Sequence, residues 1–166
     1  MRRWITLWLA ISLLLTAEQA LLAQHSLGWL VPHATLLLAL LFCTYGRPGR
    51  QLACLACLLI LRAGESLESV APDVWLLAGL CGLLDRVRTF LFIDRAITHW
   101  TLSLCGALWL LAGHAGLSAL GLAGSGVAVT LPFVGRLASA VLVAPLFLRL
   151  VHRSRLLRAW LEERPT

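Results

Sequence analysis

The chain alternates between long apolar segments and short polar ones, and this alternation predicts its architecture. A membrane-spanning helix needs about 20 predominantly apolar residues. Six segments fit or approach that length, and they cover residues 4–23, 27–45, 52–68, 72–84, 96–112 and 127–151. The pattern predicts an all-α polytopic membrane protein with six transmembrane helices in one bundle, which occupies residues 1–151.

The polar segments between these helices have the composition of turns. Residues 24–26 predict a short polar turn, and residues 46–51, with the sequence GRPGRQ, predict a tight loop because glycine and proline interrupt regular structure. Pro72 suits the first turn of the fourth helix, where its missing amide hydrogen costs nothing. Residues 114–126 predict an uncharged connection of small residues.

Composition supports an integral membrane protein. Hydrophobic residues make up 60% of the chain and charged residues 13%, whereas soluble domains are about 45–50% apolar and about 25% charged. Arg2 and Arg3 before an apolar segment resemble a secretory signal. However, the apolar segment is long for a signal peptide and carries Glu18 and Gln19, so we interpret it as an uncleaved first helix.

The net charge of +6 comes from fourteen arginines and no lysine. In a membrane protein such an excess indicates cytoplasmic loops and anionic lipid headgroups rather than nucleic acid. Most arginines lie before the first helix, between the second and third, between the fourth and fifth, or after the sixth. They are Arg2, Arg3, Arg47, Arg50, Arg86, Arg88, Arg95, Arg153, Arg155, Arg158 and Arg164. This distribution predicts a multi-pass protein with six spans and both termini in the cytoplasm.

Residues 152–166 form a basic and then acidic tail. Leucines and Trp160 alternate there with Arg153, Arg155 and Arg158. This pattern is typical of an amphipathic helix that lies at the membrane surface and contacts lipid. The alternative is a solvated end of the sixth helix.

A charged stretch, LRAGESLESVAPDVW, separates the third and fourth helices. It contains Arg62, Glu65, Glu68 and Asp73. A charge at bilayer depth costs roughly 2.5–3.5 kcal/mol, so such groups are rare and usually paired. Arg62 and Glu65 are neighbours on a helix because they are three residues apart. These residues are candidates for buried charges or for a partner-binding surface on the outer side of the bundle.

Arg136 is predicted near the middle of the sixth helix, where its guanidinium cannot lose its proton and therefore needs a partner. We hypothesise an ion pair with Glu65 or with Glu18, which lies in the outer half of the first helix. Such a pair could fix helix packing alone, or it could belong to a polar pocket or a partner-binding surface. Small residues in three of the helices favour close packing or a docking face, and they are Gly79, Gly82, Gly106, Ala107, Ala138, Ser139 and Ala140.

Nothing in the sequence predicts catalysis, a cofactor or a metal site. The chain has no G-x-S-x-G motif and no lysine for Schiff-base chemistry. Cys54 and Cys57 form a C-x-x-C pair inside an apolar helix, but no second pair completes a set of four zinc ligands. All five cysteines lie in apolar segments, which argues against a disulfide framework.

Several landmarks resemble the bacterial rod-shape-determining protein MreD family. The second helix has a proline, Pro32, then a leucine-rich segment and Tyr45 before a basic loop. Near the charged stretch stand Gly64, Glu68, Ser69 and Pro72, where the family has a glycine, an acid and a small or proline-containing turn. This chain has Glu68 instead of the usual aspartate, and Asp73-Val74 instead of a second glycine. RTFLFIDR (residues 88–95), Pro145 and the segment LFLRLVHRSRLLRAW complete the resemblance.

The resemblance implies a non-enzymatic, multi-pass subunit of the cell-elongation machinery in the bacterial inner membrane. Such proteins bind the single-span scaffold MreC and a peptidoglycan synthase complex, and they help couple a cytoskeletal filament to peptidoglycan synthesis. The family's bundle is similar to the substrate-binding S-components of vitamin transporters. The alternative is therefore a small-molecule uptake subunit, which would need an outward pocket with convergent polar and aromatic groups.

Overall fold

The computed structural model describes residues 2–23, 28–45, 48–63, 70–90, 96–121 and 130–153. Throughout these ranges the regular structure is helical, as predicted. A short 3-10 turn, Gly28–Leu30, precedes the second helix. The described ranges contain six α-helices: α1 (Arg2–Ala23), α2 (Ala34–Tyr45), α3 (Pro48–Ala63), α4 (Val70–Phe90), α5 (Ala96–Ala119) and α6 (Leu131–Arg153).

Helix α2 is the centre of the bundle. Each residue from Ala34 to Thr44 is buried, and the helix contacts all five other helices. Its sequence, ATLLLALLFCTY, is apolar on every side, and a helix of that kind must be surrounded by other helices or by lipid. Leu36, Leu40 and Phe42 are among the most completely buried large side chains of the molecule.

The other five helices form a ring around α2. Neighbours in the ring are α1 and α3, α3 and α4, α4 and α5, and α5 and α6. The 3-10 turn contacts both α6 and α1, so it lies at the position where the ring closes between the first and the last helix.

Polar contacts mark two opposite ends of the bundle. At one end, the Tyr45 hydroxyl and His99 Nε2 share a hydrogen bond of 3.2 Å, which joins the end of α2 to the start of α5. At the other end, Phe133 at the start of α6 contacts both His33 and His114. Helices α2 and α5 therefore run antiparallel. The 12 residues of α2 separate the two ends by about 18 Å, which is less than the roughly 30 Å of a bilayer's hydrocarbon core.

Among the described residues, three segments are long and apolar enough to cross a membrane by length and composition: Gly28–Tyr45, Ile97–Ala119 and Leu131–Val151. The apolar part of α1, Trp8–Leu22, is shorter. Helix α3 has only 16 residues, and α4 carries charged residues near both ends. The molecule is therefore compatible with a membrane protein, and the six-span count and the location of the termini stay predictions.

Several helix bounds differ from the predicted ones at proline residues. Helix α2 begins at Ala34 instead of residue 27, because Pro32 lies in a non-helical segment that follows the 3-10 turn. Helix α3 begins at Pro48, inside the predicted 46–51 loop, because proline is well suited to the first helical position. Pro72 lies in the first turn of α4, as predicted.

Two helices extend through segments that were predicted as connections. Helix α4 continues past Leu84 to Phe90, with Asp85 and Arg86 exposed on its surface. Helix α5 continues past Ala112 to Ala119 and is followed by Gly121, whose φ of 66° is the left-handed conformation that commonly terminates helices. Helix α6 also extends to Arg153, two residues into the predicted tail. The polar and small residues in these segments are compatible with a helix, because a helix pairs the backbone amide and carbonyl groups of its residues whatever their side chains are.

Small residues allow close helix packing, as the sequence suggested. A Cβ atom on Gly106 would lie 2.8 Å from Leu36 Cδ1, and one on Gly79 would overlap the Trp109 ring. Trp109 Nε1 donates a hydrogen bond of 2.9 Å to the Leu76 carbonyl, so this tryptophan joins α5 to α4. Gly82 has open space around it and makes no such contact.

Candidate functional site

The most unusual contact of the molecule is an ion pair between Glu18 of α1 and Arg136 of α6. Arg136 Nη2 donates a hydrogen bond to Glu18 Oε1. The side chains are only 7% and 18% exposed, for Glu18 and Arg136 respectively. A buried charge without a partner is strongly destabilising, so each of these residues depends on the other.

The ion pair lies where the helix ring closes. Glu18 is in the second half of α1, and Arg136 is the sixth residue of α6. The 3-10 turn packs beside Arg136 because Gly135 has no side chain: a Cβ atom there would lie 3.0 Å from the Trp29 carbonyl oxygen. The first helix and the turn therefore both contact the last helix at the adjacent positions 135 and 136.

The backbone of Arg136 makes further polar contacts. Its carbonyl oxygen accepts a hydrogen bond of 3.3 Å from the backbone amide of His33 and one of 2.9 Å from Ser139 Oγ. The first of these contacts joins the segment that precedes α2 to α6. Position 136 thus connects α1 through its side chain and the start of the central helix through its main chain.

Two buried histidines lie next to this position. The His33 ring meets Phe133 edge-on, with ring centroids 5.8 Å apart, and the His114 ring lies 4.8 Å from Phe133. His114 Nδ1 donates a hydrogen bond of 2.8 Å to the Leu110 carbonyl, because a carbonyl oxygen can only accept. We call Glu18, His33, His114, Phe133 and Arg136 the Arg136 cluster.

The chemistry of the Arg136 cluster is that of a polar layer within an apolar bundle. The two opposite charges are engaged with each other, and Arg136 Nε is buried without a hydrogen-bond partner among the described residues. The described residues contain no group of three His, Cys, Asp or Glu side chains that could hold a metal ion. The arrangement can therefore fix helices relative to one another and offer buried polar groups beside an aromatic ring.

The other candidate residues are placed as follows. The hypothesis for Arg136 named two carboxylates, and the partner in the structure is Glu18. Arg62 belongs to α3 and Asp73 to α4, but their side chains are not described. Arg153 is the exposed last residue of α6. The remaining candidate residues lie outside the described ranges, and they are Glu65, Glu68, Arg155, Arg158 and Trp160.

The predicted depth of Arg136 needs a correction. The sequence placed it near the middle of a helix that begins at residue 127, but the described helix begins at Leu131. Thr130 and Pro132 mark this start: the Thr130 carbonyl accepts the hydrogen bond from the Val134 amide, and proline is favoured in a first helical turn. Arg136 therefore lies about 8 Å from the start of α6, closer to one end of the bundle.

Sequence reasoning did not predict that the two histidines of the Arg136 cluster meet. His33 and His114 are 81 positions apart in the sequence. His33 directly precedes α2 and His114 lies on α5, and no spacing rule predicts that both contact Phe133 of α6. Only the packing of three helices creates this contact.

No family model matches this chain, and neither a curated protein nor a solved structure is significantly similar to it.

Proposed function

We propose that this chain is a non-enzymatic, multi-pass subunit of the bacterial inner membrane that acts by binding other proteins of the cell-elongation machinery. The proposed partners are an MreC-like single-span scaffold and the peptidoglycan synthase complex. In this role the chain helps couple a cytoskeletal filament to peptidoglycan synthesis. The observation that carries the proposal is the Glu18–Arg136 ion pair, because its two charges hold the first and last helices together.

A rigid bundle suits a binding subunit. The central helix α2 is enclosed by five helices. The Arg136 cluster joins the first and last of these helices, where the ring closes. The outward faces of α5 and α6 carry exposed large apolar side chains, among them Ile97, Leu104, Leu142 and Leu146. In a bilayer such faces contact lipid or the helix of another protein, and small neighbouring residues favour the second use.

The landmarks that resemble the MreD family occupy defined places in the structure. Pro32 lies in the non-helical segment before the central helix, and Tyr45 is the last residue of that helix. Pro145 lies inside α6 and is buried. These positions support the proposal, because each landmark affects how the central helix or the last helix is built.

Co-purification tests this function. The full chain and a tagged MreC-like scaffold are expressed together, and the complex is extracted in a mild detergent. We expect the chain to be retained with the scaffold. A scaffold whose single membrane span is replaced by an unrelated apolar helix is the matched control and should retain much less of the chain. Equal retention by both scaffolds would contradict the proposal.

The second candidate function is small-molecule uptake, and the histidines of the Arg136 cluster favour it. His33, His114 and Phe133 place polar and aromatic groups together in a buried position, as ligand pockets require. Native mass spectrometry of the purified chain tests this alternative. A vitamin-sized molecule that stays bound to the wild type and is lost in His114→Ala would favour uptake over scaffold binding.

A further inference from the structure

One face of α6 changes from apolar to basic near the end of the helix. Leu142, Leu146 and Leu150 follow one another at intervals of one turn and are 62%, 69% and 72% exposed. Arg149 and Arg153 are also exposed. With about 3.6 residues per turn, these five positions fall within about a third of the helix circumference. The two arginines therefore belong to the same face as the row of leucines.

The two charges lie at the boundary of an apolar span. The segment Leu131–Val151 is long and apolar enough to cross a membrane, and Arg149 precedes its end while Arg153 follows it. At such a boundary an arginine extends its guanidinium group to the lipid headgroups on an apolar stem. Trp100, near the start of the antiparallel neighbour α5, is 41% exposed at the same end of the bundle. Tryptophan is enriched at the depth of the headgroups.

No described carboxylate is placed to neutralise these arginines. Glu18 is engaged by Arg136, which is about 20 Å from Arg149 along the helix axis. Asp85 belongs to α4, and α5 lies between α4 and α6 in the ring. Among the described residues, neither Arg149 nor Arg153 forms a salt bridge. The face therefore presents two neighbouring positive charges that cannot be lost by deprotonation.

We propose that this face of α6 binds one anionic phospholipid, with an acyl chain along the leucine row and the headgroup phosphate between the two guanidinium groups. Arg149 and Arg153 are about 6 Å apart along the axis, so both can reach the same phosphate. Arginine binds phosphate oxygens through two parallel N–H donors. The lipid must carry a net negative charge, because a zwitterionic headgroup brings its own cation to compensate the phosphate.

This site is distinct from the predicted contact of the C-terminal tail with the membrane. The tail prediction depends on Arg155 and Arg158, which lie outside the described ranges. A basic tail attracts anionic lipids in general, whereas the face of α6 holds one lipid by its headgroup and its chain together. The inference does not depend on the proposed function, because it involves neither the Arg136 cluster nor a protein partner.

Native mass spectrometry of the full chain tests the proposal. The chain is purified in a mild detergent, freed of co-purified lipid and mixed with phosphatidylglycerol or phosphatidylcholine of identical acyl chains. We expect the wild type to bind one phosphatidylglycerol molecule in preference to phosphatidylcholine. Arg149→Gln and Arg153→Gln should each weaken this binding about fivefold, which is the usual contribution of one arginine near anionic lipid. Equal binding of the two lipids by the wild type would overturn the proposal.

Two control variants locate the effect. Arg86→Gln removes the same charge from an exposed position on α4 and should leave the binding nearly unchanged. The double variant Arg155→Gln/Arg158→Gln removes two charges from the tail and should keep the preference for phosphatidylglycerol. If the tail variant loses this preference and Arg149→Gln/Arg153→Gln keeps it, the site is in the tail and the proposal is wrong. Thermal unfolding in the same detergent checks that all variants are folded.

The contribution of the acyl chain is tested with glycerophosphoglycerol, which carries the headgroup of phosphatidylglycerol without its chains. We expect this compound not to displace the bound lipid at equal concentration, because it cannot contact the leucine row. Displacement would show that the two arginines bind a soluble phosphate ester as well as they bind a lipid, and it would refute the proposal.

Discussion

Glu18 and Arg136 are 118 positions apart in the sequence, and their side chains form a buried ion pair between the first and the last helix. Helices α1 and α6 have little other direct contact, because the 3-10 turn lies between them. The electrostatic contact therefore joins two helices that have little direct packing between them. In a low-dielectric interior the attraction between the two groups is much stronger than it would be in water.

Removing one partner of this ion pair should be far more harmful than removing an exposed arginine. Arg136→Ala leaves the Glu18 carboxylate buried and unpaired, and the expected loss in the free energy of unfolding is roughly 3–5 kcal/mol. The measurement is thermal unfolding in a fixed detergent, followed by size-exclusion chromatography. Arg149→Ala is the matched control, because Arg149 lies on the same helix and is exposed.

The reversed pair provides a second test of the same contact. Glu18→Arg combined with Arg136→Glu should recover part of the stability that each single change removes. Single variants as stable as the wild type would refute a structural role for this ion pair.

The glycines of α4 should differ in their tolerance to alanine. Gly79→Ala places a methyl group against the Trp109 ring, and overpacking of this kind costs about 1–3 kcal/mol. Gly82→Ala adds the same group to open space on the same helix, and its effect should stay within about 0.5 kcal/mol. Unfolding midpoints of the two variants give the comparison, and equal midpoints would show that α4 and α5 are not in close contact at Gly79.

The polar contact at the opposite end of the bundle should also contribute to stability. Tyr45→Phe removes the hydroxyl that bonds to His99, which is only 4% exposed. Loss of a partner by a buried polar group costs about 1–3 kcal/mol. Thr101→Val removes a hydroxyl that bonds within α5 on a more exposed surface and should change the unfolding midpoint much less. The reverse order would contradict this assignment.

The alternation of helix directions predicts the membrane topology. Leu120 follows the end of α5 and Arg153 ends α6, and both are exposed. In a background without the native cysteines, Leu120→Cys and Arg153→Cys should react with an impermeant maleimide from opposite sides of the membrane. Arg153→Cys should react from the cytoplasm, as the arginine distribution predicts. Labelling of both from one side would exclude the six-span topology.

The sequence by itself determined the helical class and the composition of the core. Leucine-rich segments without polar interruptions can satisfy their backbone only by forming helices in an apolar medium, and the segment around Leu36 and Leu40 is apolar on every side, as a central helix requires. The need of Arg136 for a polar partner also followed from its sequence, since an arginine in an apolar segment keeps its charge. The sequence did not determine the helix ends, because Pro48 and Asp85, which were predicted in connections, lie inside helices.

Only the tertiary structure decided which residues meet. The choice of Glu18 as the partner of Arg136 depends on α1 and α6 lying on either side of the 3-10 turn, and the contact between Cys43 and Cys81 depends on α4 lying next to α2. Such neighbours are set by the balance of packing over the whole bundle. An apolar helix offers several faces of nearly equal hydrophobicity, so its sequence alone does not specify which face meets which neighbour.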